Sequence, residues 1–148
     1  LDIVDREAVY NAKDFFEKTL PTAIATAGIS FGAIRSAQLD GTPPSKTNKN
    51  GAEAYTIHAI RSTERATAVV QVTAQTLANC TPETRQLLTT AYLTESVRKP
   101  RIKDVAAELG MTTSMFYHHR TDALTEFAYR FEHFRSLDKD HMVKSLLS

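Results

Sequence analysis

Residues 102–124 read IKDVAAELGMTTSMFYHHRTDAL, and this stretch decides the fold. Apolar residues at Val105, Ala106 and Leu109 fall on one face of a short helix, and Phe116, Ala123 and Leu124 on one face of a second. Gly110 lies between them, where a left-handed backbone ends the first helix cheaply. Thr112 follows, a side chain suited to satisfying free amides at the start of the second helix. Ala106 is small where the two helices must cross, and Val105, Leu109, Met111 and Phe116 have the bulk to fill the wedge between them. The expectation is a helix-turn-helix, in which the second helix enters the major groove of DNA.

If Phe116 and Ala123 point inward, Thr113, Ser114, Tyr117, His118 and Thr121 occupy the other face, with Thr112 at its start. Their hydroxyl, phenol and imidazole groups donate and accept hydrogen bonds to base edges, and Thr and Tyr also touch thymine methyls. Arg98, Lys99, Arg101 and Lys103 precede the first helix and are the expected phosphate contacts, which set register without reading sequence. Arg120 either joins them or turns back to the protein. A plain helical hairpin with a solvated polar face shares part of this pattern. The mutual spacing of Ala106, Gly110 and Thr112 favours the DNA-binding reading. From Pro82 onward there are ten Lys/Arg against nine Asp/Glu, so a basic footprint has to come from clustering. Histidines also gain charge as pH falls, so DNA affinity is expected to be higher at pH 6 than at pH 8 at matched salt.

Working outward, Pro82 to Leu93 reads as a helix with Leu87, Leu88, Ala91 and Tyr92 on one face and Glu83 in its first turn. The second helix of the motif continues to about Phe134, carrying Phe127 and Phe131 at helical spacing. Upstream, Ile3 to Leu20 predicts a helix with Ala8, Ala12, Phe15, Phe16 and Leu20 as its apolar positions. Pro21 is expected to end or kink it, and a second short helix follows before Ala37. Glu53 to Leu77 predicts a long helix, although AVVQV at 68–72 has the composition of a strand; no neighbouring segment offers a pairing partner. The reading is therefore all-α. It comprises an N-terminal helical segment (1–38), a polar loop or linker (39–51, containing GTPPSKTNKNG), and a long helix for dimerisation or partner contact (52–80). A helix-turn-helix DNA-binding domain (81–134) and a C-terminal tail (135–148) complete it.

The chain has 148 residues, 42% of them hydrophobic, and a net charge of +1, which fits a folded domain and argues against a highly basic nucleic-acid coat. Cys80 is the single cysteine, so an internal disulfide and a cysteine-based zinc site are both excluded, and a reducing cytoplasm is expected. The longest apolar stretch, 22–34, is short and broken by Thr26, Gly28, Ser30 and Gly32, so no membrane span is expected. His118, His119, His133 and His141 lack metal-ligand spacing. Acidic residues form no recognisable acid/base pair, and no glycine loop is built to cradle phosphate. Neither an enzyme, a cofactor nor a metal is expected.

The run ETRQLLTTAY (83–92), then KDVAAELG, then TTSMFYHHRTDALTEFA resembles region four of bacterial sigma factors, in which a supporting helix precedes the helix-turn-helix and an Ala-Leu pair, here Ala123 and Leu124, closes the recognition helix. More narrowly, Phe116, Tyr117, His118, Arg120, Ala123, Leu124, Phe127 and Ala128 resemble the ArpU-like regulators of phages and prophages. That resemblance implies a transcription regulator of late phage genes in a bacterial cytoplasm. It departs from the pattern where His118 and His119 stand in place of Arg or Lys. The expected partners are double-stranded DNA, a second copy of the chain and, through the N-terminal helices, RNA polymerase. Two other readings share the motif: a DNA-packaging protein like a small terminase subunit, which forms closed rings, and a protein-interaction module on a sigma-like fold.

Overall fold

A computed structural model describes residues 3–28, 53–94 and 99–147, with side chains from residues 5–28, 62–94 and 99–147. The polar loop at 39–51, the region after Gly28 expected to hold part of a second short helix, and Arg98 lie outside the described residues. Every regular element described is helical: α1 (Ile3–Asp14), a π-helical turn (Phe15–Thr19), α2 (Leu20–Ala27), α3 (Glu53–Ala78), α4 (Pro82–Tyr92), α5 (Ile102–Glu108) and α6 (Thr113–Ser136).

Pro21 does not end the first helix. The turn ahead of it widens so that the Leu20 amide donates to the Phe15 carbonyl, five residues back. A proline inside a regular helix lacks one amide and crowds the carbonyl four residues earlier. The wide turn accommodates both defects, and α2 runs on to Gly28. There a left-handed residue (φ +71°) closes it, with the Gly28 amide donating to the Ile24 carbonyl at 3.0 Å. Helix α1 packs on α6, whereas α2 packs on α3.

The valine-rich segment is helical throughout. Val69, Val70 and Val72 are all buried in α3, together with Thr67, Thr73 and Thr76. The modest helix propensity of β-branched residues costs a few tenths of a kcal/mol each, less than the burial of any one of these side chains returns. The Thr73 and Thr76 hydroxyls donate to the carbonyls of Val69 and Val72, both at 2.7 Å. Two buried polar groups are thereby satisfied within the helix. At its C-terminal end, Arg85 of α4 donates to the carbonyls of Leu77 (2.9 Å), Ala78 and Cys80 (both 3.2 Å). A cation there suits the free carbonyls and the helix dipole.

Helix α6 is the axis of the molecule: α1, α3, α4 and α5 all pack on it. One hydrophobic cluster extends from Ala8 to Leu146 and includes residues from every described helix. The segments expected as an N-terminal unit, a separate long helix and a DNA-binding domain thus share a core among the described residues. Its centre is aromatic. The Phe127 ring lies 4.7 Å from Phe16, 5.4 Å from Phe131 and 6.1 Å from Phe15, and Phe16 stacks on Tyr92 at 5.1 Å.

The segment read as a C-terminal tail begins with the last turn of α6 and then folds back. Val143 and Leu146 are buried, and the Asn11 side-chain amide donates to the Leu146 carbonyl at 3.0 Å. Arg135 pairs with Glu132 at 2.8 Å and donates to the Val143 carbonyl, while the Ser145 hydroxyl donates to Glu132.

Glu126 of α6 ties α4 to the axis. Its carboxylate accepts from the Thr81 amide (2.8 Å), the Thr81 hydroxyl (3.1 Å), the Thr84 hydroxyl (2.7 Å) and Arg130 (2.9 Å). Burial pushes its pKa up, but these donors, led by Thr84, outweigh burial and hold it below the usual 4.5. Glu132 is also held low, by Arg135 against burial and with help from Ser145. Folding therefore favours the ionised form of both groups. Their contribution is complete above the unfolded-state value near 4.5 and is lost as pH falls through the lower folded values. The thermal midpoint is expected to drop as pH falls from 5 toward 3, and Glu126→Gln is expected to flatten that drop. An unchanged acid profile in the variant would show that this network does not govern acid stability.

Candidate nucleic-acid interface

Helix α5 ends in a Schellman turn. The Met111 amide donates to the Ala106 carbonyl at 2.9 Å and the Gly110 amide to the Ala107 carbonyl at 3.0 Å, with Gly110 at φ +73°. These bonds satisfy carbonyls that a helix end would leave open. Nothing lies within 4 Å of a Cβ built on Gly110, so its requirement is conformational rather than steric. Gly110→Ala is expected to cost about 1–2 kcal/mol, the penalty of a left-handed L-residue, measured by urea denaturation. A cost near zero would mean that the turn re-forms in another conformation.

Immediately after the turn, the Thr112 hydroxyl accepts from the Met115 amide at 3.1 Å and caps α6. Ala106 and Val105 are buried where α5 meets α6, Phe116 is fully buried, and Leu109 and Met111 pack at the margin of the core. The wedge residues expected from the sequence therefore meet as anticipated.

Apart from Phe116, the first two turns of α6 present an outward face clear of the core. Thr112, Thr113, Ser114 and His118 are exposed, and Tyr117 is 48% exposed. Thr121 is half-buried, and its hydroxyl donates to the Tyr117 carbonyl at 3.1 Å. Its proton is thereby engaged within the helix. His119 is exposed on this surface too, and two further residues of it escaped the sequence reading: Met115 (47% exposed) and Asp122. Asp122 lies one turn beyond His118, with Oδ2 3.8 Å from Nε2. The signal was the helical period itself, because positions 115, 118 and 122 share the side opposite Ala123 and Phe127.

The basic residues divide. Arg101 and Lys103 are exposed at the start of α5, and neither has an ion-pair partner among the described residues. Lys99 instead reaches Glu17 in the π turn at 3.1 Å. Arg120 turns inward: it is half-buried, with its guanidinium 5.1 Å from the Tyr117 ring centroid and 5.7 Å from that of Phe116. It thus lies against α6, the inward option of the two expected for it. Arg98 lies outside the described residues.

Cys80 is buried, and burial, with the nearby Glu126 charge, pushes its thiol up to about 12, so it is a packing residue with no thiolate at neutral pH. Among the described residues, no three His, Cys, Asp or Glu side chains gather as metal ligands, and no helix is long and apolar enough to cross a membrane. Compared with protein-family models, curated proteins and solved structures, the chain matches none.

Proposed function

We propose that this chain is a sequence-specific, DNA-binding transcription regulator and not an enzyme, with the first turns of α6 entering the major groove. One observation carries the reading. A short helix, a Schellman turn at Gly110 and a capped helix present a continuous exposed polar face, Thr113, Ser114, Tyr117 and His118, beside the exposed cations Arg101 and Lys103. Those side chains have the reach and hydrogen-bonding capacity for base edges, and the cations stand where phosphates flank a docked recognition helix. Asp122 adds an acceptor suited to the amino group of cytosine. The sequence resemblance to ArpU-like regulators supports control of late phage genes in a bacterial cytoplasm. A homodimer on two half-sites is part of the proposal, because two tethered weak contacts reinforce each other.

The test is selection of bound duplexes from random DNA, followed by anisotropy titrations at several salt concentrations. Affinity is expected to fall steeply with salt, as it does when phosphate contacts release counterions. Arg101→Ala is expected to weaken all sequences alike and to reduce the salt slope by about one unit. Salt-independent or undetectable binding would replace this reading with a protein-interaction module. A closed multi-subunit ring in solution would favour a packaging role.

A further inference from the structure

An open cleft of about 230 Å³ lies where the recognition helix, α4 and the N-terminal helix converge. Three cations line it, Lys13, Lys99 and Arg120, against one carboxylate, Glu17. Glu17 is already engaged by both lysines, at 3.6 Å by Lys13 and 3.1 Å by Lys99. Arg120 has no carboxylate within ion-pair distance among the described residues; its guanidinium lies against the faces of Phe116 and Tyr117 and near Tyr92. Beside it lies the Tyr92 hydroxyl, which is buried with no hydrogen-bond partner among the described residues. The Arg120 charge acts on this hydroxyl without a formed hydrogen bond between them. Burial raises the Tyr92 pKa over the opposing Arg120 charge, so the phenol remains a proton donor at neutral pH.

A buried hydroxyl and a half-buried guanidinium, both without acceptors in the described protein, are the kind of pair that a bound anion satisfies. The rest of the lining is apolar, from Ala91, Pro100, Ile102 and Val105 together with the rings of Phe116 and Tyr117. A bare inorganic ion would leave that surface uncovered. The volume is below the roughly 300–1,000 Å³ of drug-sized sites, which limits the occupant to a small molecule.

We propose that this cleft binds a small aromatic carboxylate, its anion accepting from Arg120 and the Tyr92 hydroxyl and its ring lying against Ile102, Val105 and Phe116. Lys99 and Lys13 supply the surrounding positive potential. The ligand would touch α6 through Arg120 and Tyr117 and the N-terminal helix through Lys13, so it bridges the recognition helix to the helices packed behind it. The site stands independently of the DNA-binding reading and is tested without DNA.

The experiment is calorimetric titration of the full chain with benzoate and 4-hydroxybenzoate, with benzamide and inorganic phosphate as the neutral and non-aromatic counterparts. Saturable one-to-one binding of the carboxylates is expected, with at least tenfold weaker binding of benzamide and phosphate. Arg120→Gln is expected to weaken carboxylate binding at least about tenfold, the scale of one charge-assisted hydrogen bond. Tyr92→Phe, which removes only the hydroxyl, is expected to weaken it several-fold. Thermal melts of both variants verify that the fold is kept. The proposal is overturned if neither carboxylate binds saturably, if benzamide or phosphate binds as well as benzoate, or if both variants bind like the parent.

Discussion

Phe127→Ala is expected to remove about 3–5 kcal/mol of stability, the range for truncating a large buried aromatic side chain. Phe127 is fully buried and meets Phe15 and Phe16 from the N-terminal helix as well as Phe131 from its own. The cavity would open at the junction of the N-terminal helix and α6, so neither can repack alone to close it. For a protein of ordinary stability, about 5–15 kcal/mol, the loss is a large fraction of the total. Urea unfolding followed by circular dichroism should show a single transition moved to lower denaturant. Two separate transitions, with only one displaced, would mean that the N-terminal helices and the helix-turn-helix are independent units. Phe134, half-buried at the margin of the core, is the internal comparison and should cost markedly less when truncated.

Tyr117→Ala is expected to weaken binding to a selected DNA site by about 1–3 kcal/mol, roughly five- to 150-fold, while binding to random duplexes changes little. The side chain is half exposed, so its loss leaves the core intact, and the melting temperature separates a binding defect from a folding defect. His118→Ala should act in the same direction. It lies on the same surface but outside the proposed carboxylate cleft, so agreement between the two variants ties the effect to the exposed side of α6. Equal losses on selected and random DNA would reassign both side chains to phosphate contacts. Unchanged binding in both would remove α6 from the interface.

Much of the helix-turn-helix was legible because its determinants are local. Gly110 and Thr112 act within one or two turns of chain, and each does what its chemistry indicates. The valines of α3 were ambiguous from composition and were settled by what they pack against, which a single segment does not reveal. Lys99 and Arg120 were harder for the same reason. Lys99 was expected at a phosphate and Arg120 was left between two orientations, because Glu17 lies 82 residues from Lys99 in sequence and only the folded chain sets the Phe116 and Tyr117 faces against Arg120. Val143 and Leu146 passed as part of a tail because two apolar residues beyond a helix end form no periodic pattern. They join the common core, and Asn11 of α1 and Arg135 of α6 bond the carbonyls of Leu146 and Val143.

The wide turn at Phe15–Thr19 has a consequence for how one continuous rod serves two neighbours. At about 100° per residue, Ala8, Ala12, Phe15 and Phe16 cluster around one direction, whereas Leu20, Ala23, Ile24 and Ala27 cluster roughly a quarter-turn away. In a regular helix that slip would leave one group misaligned. Here an extra residue in the turn re-phases the apolar stripe, so the same rod addresses α6 before the turn and α3 after it. The turn works as an angular adapter between two packing partners. Deleting one residue from it would restore regular geometry and rotate α2 off its seat, bringing the Pro21 ring against the carbonyl that the wide turn now spares.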